Sequence, residues 1–193
     1  MSWFLGKTSA TGSIETGPAI QATAALLINS NHYFTCTLFK QGSDMHTDHF
    51  TISFLVDQTP EEVFNAVTNV RGWWSQALEG NSAKLNDEFS YRHGDFHYSK
   101  HRLTEVVPNE RVVWLTLDSK LTFVKEQNEW NGTTMVFDIS GEADKTRLVV
   151  THVGLVPAFE CFNACSKGWT HYLQNSLLPL ITTGTGKPDL IKQ

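Results

Sequence analysis

Between residues 50 and 56 the apolar side chains of Phe50, Ile52, Phe54 and Val56 alternate with Thr51, Ser53 and Leu55. A period of two predicts a half-buried strand. The pattern then changes. Thr59 is a suitable N-cap, Pro60 fits the first helical turn, and Glu62 stands where a capping-box carboxylate reaches back. Val63, Phe64, Val67 and Val70 share one helical face, and Gly72 is the expected terminator. Strands are predicted over Glu88–Arg92, His97–Val107, Arg111–Asp118, Thr133–Ser140 and Lys145–Val153. Gly94-Asp95, Pro108-Asn109, Asn131-Gly132 and residues 141–144 punctuate them. Neighbours joined by such short turns pair antiparallel.

After Val156-Pro157 a final helix is predicted from about Ala158 to Thr182. Its apolar stripe runs through Phe162, Cys165, Trp169, Tyr172 or Leu173, Ser176 and Leu180 at three- or four-residue steps. Some two dozen residues make a rod of roughly 35 Å, long enough to cross a curved sheet. Strand, short helix, a run of strands and one long helix describe an α+β layout, with helices on one face of an antiparallel sheet.

The leading residues read differently. Lys7, Glu15, Lys40 and Asp44 are the only charged side chains before Met45, and no amphipathic period is sustained there. The expectation is an irregular, poorly ordered extension over residues 1–44 and a domain over 45–193, with Met45 a candidate natural start. The 193-residue chain has 15 Lys and Arg against 20 Asp and Glu, a net charge of −5. Without a basic block, nucleic acid is not an expected partner. No apolar run approaches the roughly 20 residues that span a bilayer. Ala19 to Ile28, the longest, contains Gln21 and Thr23 and lacks a basic lead. Cys36, Cys161 and Cys165 are an odd set, which points to the reducing cytoplasm rather than a disulfide framework.

Several segments resemble the activator of heat-shock-protein-ninety ATPase homologue family. They are Phe54 to Phe64, Val70-Arg71-Gly72-Trp73-Trp74-Ser75, Val113-Trp114, and Glu129-Trp130-Asn131-Gly132-Thr133. Thr151-His152-Val153-Gly154-Leu155-Val156-Pro157, Glu160-Cys161, Gly168-Trp169 and Thr183 to Pro188 continue the match, which runs from about Thr47 to Asp189. The family belongs to the START-like (SRPBCC) superfamily, with polyketide cyclases, aromatases and lipid-transfer domains. The resemblance implies a helix-grip fold, a sheet of about seven strands wrapped around a long C-terminal helix over an apolar cavity. It does not imply one activity, because members bind lipids, hormones or polyketides and only some do chemistry. The eukaryotic co-chaperones also carry a separate chaperone-binding domain, for which residues 1–44 are too short and irregular.

The candidate chemistry is sparse. His93, His97 and His101 are spaced by four, but Gly94-Asp95 breaks any helix through them, and they are expected to be solvated strand histidines rather than metal ligands. Cys161 and Cys165 lie one helical turn apart and read as small core side chains. Gly184-Thr185-Gly186-Lys187 follows a helix instead of opening one, so it reads as a helix exit and not a phosphate loop. His152 alternates in phase with Leu148 and Val150, which points it to the apolar side, where an imidazole must find a partner. On the implied fold, Trp114, His152, Trp169 and Tyr172 are the expected pocket lining. The expected function is binding of a small apolar or amphipathic molecule, with no cofactor, metal or catalytic residue assigned. The alternatives are a co-chaperone-like contact surface, or a cyclase- or hydrolase-like enzyme with His152 as acid/base.

A chain shortened to begin at Met45 is expected to melt at the same temperature as the full chain. A midpoint several degrees lower would place the leading residues on the domain, since 1 kcal/mol shifts a chain of this size by about 2–8 °C.

Overall fold

The computed structural model describes residues 48–190, so the expected irregular extension over residues 1–44 lies outside the described residues. Seven antiparallel strands form one sheet. They are β1 (Phe50–Val56), β2 (Glu79–Gly80), β3 (Glu88–His93), β4 (His97–Val107), β5 (Arg111–Leu121), β6 (Thr134–Glu142) and β7 (Lys145–Val153). The order across the sheet is β1-β7-β6-β5-β4-β3-β2, a meander whose last strand returns to pair with the first. Phe50 stands opposite His152 and Val56 opposite Thr146, so the alternation read in β1 is matched residue for residue by β7.

Two register shifts between β4 and β5 bend the sheet. Lys100 pairs with Asp118 but His101 with Thr116, and Leu103 pairs with Trp114 but Glu105 with Val113. An extra residue in one strand increases local twist and turns the strand. The first shift also reverses the phase of β5: Val112, Trp114 and Thr116 are buried before it, Ser119 and Leu121 after it. Without that shift Ser119 and Leu121 would point away from the core.

Helix α1 (Pro60–Thr68) begins as its residues dictate, with the Thr59 hydroxyl accepting from Glu62 N and the Glu62 carboxylate accepting from Thr59 N. It ends at Asn69 rather than at Gly72, and Gly72 sits inside a second short helix, α2 (Val70–Trp73). The break turns Trp73 and Trp74 under the sheet, both almost fully buried.

The C-terminal helix starts at Phe162 rather than Ala158 and has three parts: α3 (Phe162–Tyr172), a π-helical stretch (Leu173–Leu177) and α4 (Leu178–Thr183). The turn that leads into it is held from outside, where Glu129 accepts from Glu160 N at 2.6 Å and Cys161 N at 2.9 Å. Pro179 explains the widened turn, because it has no N–H for the carbonyl four residues back. The wide turn has a packing consequence. Cys161, Cys165, Trp169, Leu173, Leu177 and Ile181 are all buried. Each four-residue step overshoots a 3.6-residue turn by about 40°, and a stretch with more residues per turn takes up the excess. The buried stripe therefore follows Leu173, Leu177 and Ile181 rather than Tyr172 and Leu180, which are only partly buried.

Beyond α4 the chain doubles back as a strap. Gly184 takes a left-handed conformation (φ 74°) and closes the helix as expected. Gly186 does something else: a Cβ there would lie 2.1 Å from the Gly72 carbonyl oxygen. Lys187 N donates to Ser176 Oγ in the π-helical stretch at 2.6 Å, and Asp189 exchanges backbone hydrogen bonds with Trp74 and Gln76.

Gly186→Ala should lower the melting temperature more than Gly184→Ala. The latter places a side chain at positive φ for about 1–2 kcal/mol, whereas the former must push the strap off α2. Equal thermal shifts would show that the strap is not held by this close approach.

Candidate functional site

The face of the sheet beneath the helix carries a polar seam in an otherwise apolar core. Ser99, His101, Thr116, Thr133 and His152 are all buried. The Trp169 indole N–H, which can only donate, reaches His152 Nδ1 at 2.9 Å. That fixes the imidazole: Nδ1 accepts, so Nε2 carries the proton and donates to Thr133 Oγ1 at 2.8 Å. The Thr133 hydroxyl donates to the Trp130 carbonyl at 2.6 Å and lies 3.3 Å from the Thr116 hydroxyl. Thr116 Oγ1 is 3.3 Å from His101 Nδ1, and His101 Nε2 is 2.9 Å from Ser99 Oγ. The seam thus crosses the sheet from β4 to the helix. Burial, reinforced by neighbouring histidines, pushes both His101 and His152 down to about 3, so both are neutral near pH 7.

Aromatic rings fill the space between sheet and helix. Trp74 lies 6.2 Å from Trp114 with parallel planes, 4.4 Å from Tyr91 and 4.9 Å from Trp169. Trp169 in turn stacks on Trp130 at 5.7 Å. What remains beside Trp74, Trp130, Trp169 and Tyr172 is a void of about 40 Å³, room for little more than one water. At Cys165 and Tyr172 this void adjoins an open groove of about 420 Å³, lined also by Tyr91, His93, Phe96, His97, Phe123 and Ala164. Larger hollows lie beside Arg71 and Lys84 (about 530 Å³), beside Gln58 and Leu180 (about 460 Å³) and beside Glu61, Arg111 and Ile139 (about 870 Å³), and no aromatic side chain lines any of the three. Of these hollows among the described residues, the groove has the apolar, aromatic walls with few polar groups that small-molecule sites use.

One end of the groove is polar. There the lining residues Tyr172, Tyr91 and His93 meet Asp189, which the strap carries beside them and which accepts at a single oxygen from Tyr172 OH (2.7 Å) and Tyr91 OH (3.0 Å), with His93 Nδ1 at 3.2 Å. The two phenols are 3.1 Å apart. Burial, with Asp189 adding to it, pushes Tyr172 up to about 12, and burial raises Tyr91 further. Both phenols stay protonated and act as donors. The wall bearing Phe123 is tied to the turn before the helix, where the Glu160 carboxylate accepts from Lys125 N at 2.7 Å.

The four expected lining residues divide. Tyr172 lines the groove and Trp169 the small void. His152 and Trp114 are fully enclosed, the first spent on Trp169 and Thr133, the second packed among Trp73, Trp74, Phe89 and Phe137. The three spaced histidines are not uniformly solvated, contrary to expectation. Only His93 is exposed. His101 is enclosed in the seam, and His97 stands edge-on to Trp130 and Tyr91, where burial lowers it to about 4. The cause is the inward phase of β4, which takes Ser99, His101 and Leu103 to the core. Cys161 and Cys165 are buried free thiols, as expected, and the hydrogen bond between them, with burial, raises the Cys161 thiol. Phe96, Phe123 and Asp189 have no place in the sequence reading of the site, and Tyr91, an aromatic that could serve either core or cavity, is not among the four residues assigned to the lining. Phe96 beside the Gly94-Asp95 turn was the available signal, a large apolar residue at a hairpin tip.

Residues 57–180 match the model of the family described as activator of Hsp90 ATPase homolog 1-like protein. No curated protein matches the chain. Among solved structures, the Aha1 dimer from Colwellia psychrerythraea is 20% identical at a TM-score of 0.57, over 72% of this chain and 98% of that one. Mll3558 from Rhizobium loti is 18% identical at 0.52, over 68% and 94%. DynU16, from the dynemicin biosynthetic locus, is 20% identical at 0.52, over 74% of this chain and 51% of its own. At these identities the likeness shows the fold. No helix among the described residues is long and apolar enough to cross a membrane.

The buried histidines set an acid limit on stability. Their folded values lie below the ordinary 6.5, so the unfolded chain binds more protons as pH falls, and stability is lost from about pH 6.5 downward. Each contributes a limiting slope of about 1.4 kcal/mol per pH unit. Urea midpoints should fall between pH 7 and pH 5, above the range where surface carboxylates titrate. A flat profile over that window would mean the histidines are not held neutral.

Proposed function

The chain belongs to the activator of Hsp90 ATPase homolog 1-like family, and we propose that this protein binds a small apolar or amphipathic molecule in the aromatic groove at the open end of the helix grip. One observation carries this reading. Phe96 and Phe123 leave 64% and 45% of their surface exposed on the walls of a groove whose inner end reaches the Tyr91, Tyr172 and Asp189 cluster. Apolar walls supply affinity at about 25 cal/mol per Å² buried, and the polar end supplies orientation. Tyr172 would touch the ligand directly. Trp169 forms the floor, His152 holds the Trp169 ring in place, and Trp114 backs Trp74 from the sheet. A binding role rather than catalysis fits an imidazole with both nitrogens already engaged. Residence in the reducing cytoplasm belongs to the same reading.

The second reading is contact with a chaperone ATPase, as the family's description names. The same exposed Phe96 and Phe123 favour it as a docking patch.

Titration with naphthylmethanol, followed by tryptophan emission, separates the two. Saturable one-site quenching is expected, weakened at least about fivefold by Phe96→Ser or Phe123→Ser, the equivalent of roughly 1 kcal/mol. Unsaturable quenching, together with capture of a heat-shock ATPase that Phe96→Ser abolishes, would replace the first reading with the second.

A further inference from the structure

We propose that the groove selects a cation, a small apolar amine whose ammonium sits against Asp189 while its hydrocarbon part lies among the aromatic rings. The proposal rests on the groove being the ligand site, and it concerns the chemistry of the ligand's polar end. Asp189 uses its two oxygens unequally. Oδ2 takes the Tyr91 and Tyr172 phenols and the His93 ring nitrogen. Oδ1 accepts no hydrogen bond among the described residues, and the side chain keeps 35% of its surface exposed. An ionised carboxylate has acceptor sites on both oxygens. Three donors, all of them residues that line the groove, therefore hold this carboxylate at one oxygen, and the other is left without a protein donor next to the groove's polar end.

The surroundings favour a positive partner. Tyr91, Phe96, Phe123 and Tyr172 line the groove, and aromatic faces attract ammonium groups through their quadrupoles. Neither Lys nor Arg contributes to the lining, so an anionic ligand finds no counter-charge there. Of the cations on the same strands, Lys100 and Arg102 are engaged by Glu88 and Arg92 lies over the Tyr98 ring. The chain's net charge of −5 attracts cations at longer range. His93 is the internal competitor, but it lies on the Oδ2 side. The site is also held in shape beforehand. Asp189 N donates to the Trp74 carbonyl, Gln76 N to the Asp189 carbonyl and Lys187 N to Ser176 Oγ, which fixes the strap, so little ordering is needed on binding.

Three matched probes test the assignment: naphthylmethylamine, naphthylmethanol and naphthoate, each titrated into the full chain near pH 7. The amine is expected to bind about five- to tenfold tighter than the alcohol, from an exposed ion pair plus a cation–π contact, and naphthoate weakest. Asp189→Asn should bring the amine-to-alcohol ratio to about one. If that variant does not fold, the wild-type ratio is read against salt, and it should shrink as salt rises. A wild-type ratio of one, a ratio unaffected by salt, or a preference retained in Asp189→Asn would each overturn the amine assignment. Saturable alcohol binding in those cases leaves the groove standing as a ligand site. Failure of all three probes to saturate would overturn both.

Discussion

The hydrogen bond from the Trp169 indole to His152 Nδ1 is the contact on which the interior depends. It ties the C-terminal helix to the last strand through two groups buried from water, and a buried polar group without a partner is costly. Its chemistry runs in one direction. An indole cannot accept, so His152 must present its unprotonated nitrogen to the helix and its N–H to Thr133. Thr133 then meets Thr116, and Thr116 meets His101, so one donor on the helix orders polar side chains across the sheet. Within an apolar surrounding such a network defines one arrangement, because any slip of the helix strands several groups at once.

That arrangement decides where space remains. The rings around the seam are large and closely stacked, with Trp74 inserted among Tyr91, Trp114 and Trp169. The interior is therefore a packed core, and usable space is displaced outward to the groove between the β3–β4 hairpin, Phe123 and α3. His152 and Tyr172 belong to different layers of one assembly. The first holds the floor rigid, and the second faces the opening.

The strap links the helix irregularity to the groove. Pro179 widens the helix, the widened turn holds Ser176 where it accepts from Lys187 N, and the strap so anchored delivers Asp189 to the phenols. Gly186 allows the approach because its missing Cβ leaves room for the Gly72 carbonyl. A helix exit in sequence is a positioning device in three dimensions.

Much of this was legible in local sequence. The period of two in β1, the capping box at Thr59 and Glu62, the hairpin turns, the left-handed close at Gly184 and the inward phase of His152 all depend on residues a few positions apart. Local sterics and hydrogen bonding settle such features before the chain is folded. The break at Pro179 is not part of the sequence reading, because the apolar stripe that defines the helix tolerates either register. The polar seam and the groove were not legible, since their members come from every part of the domain. Ser99, Thr116, Thr133, His152 and Trp169 meet only once the strands are in register, and the shift between β4 and β5 that keeps both halves of β5 facing the core is set by the pairing of two strands. Asp189 lies far along the chain from Tyr91, and only the strap closes that distance. The sequence by itself determined the elements, their order and the apolar face of each. The tertiary structure alone decided which polar groups share a proton and where space remains, because hydrogen-bond partnership and packing are relations between distant residues.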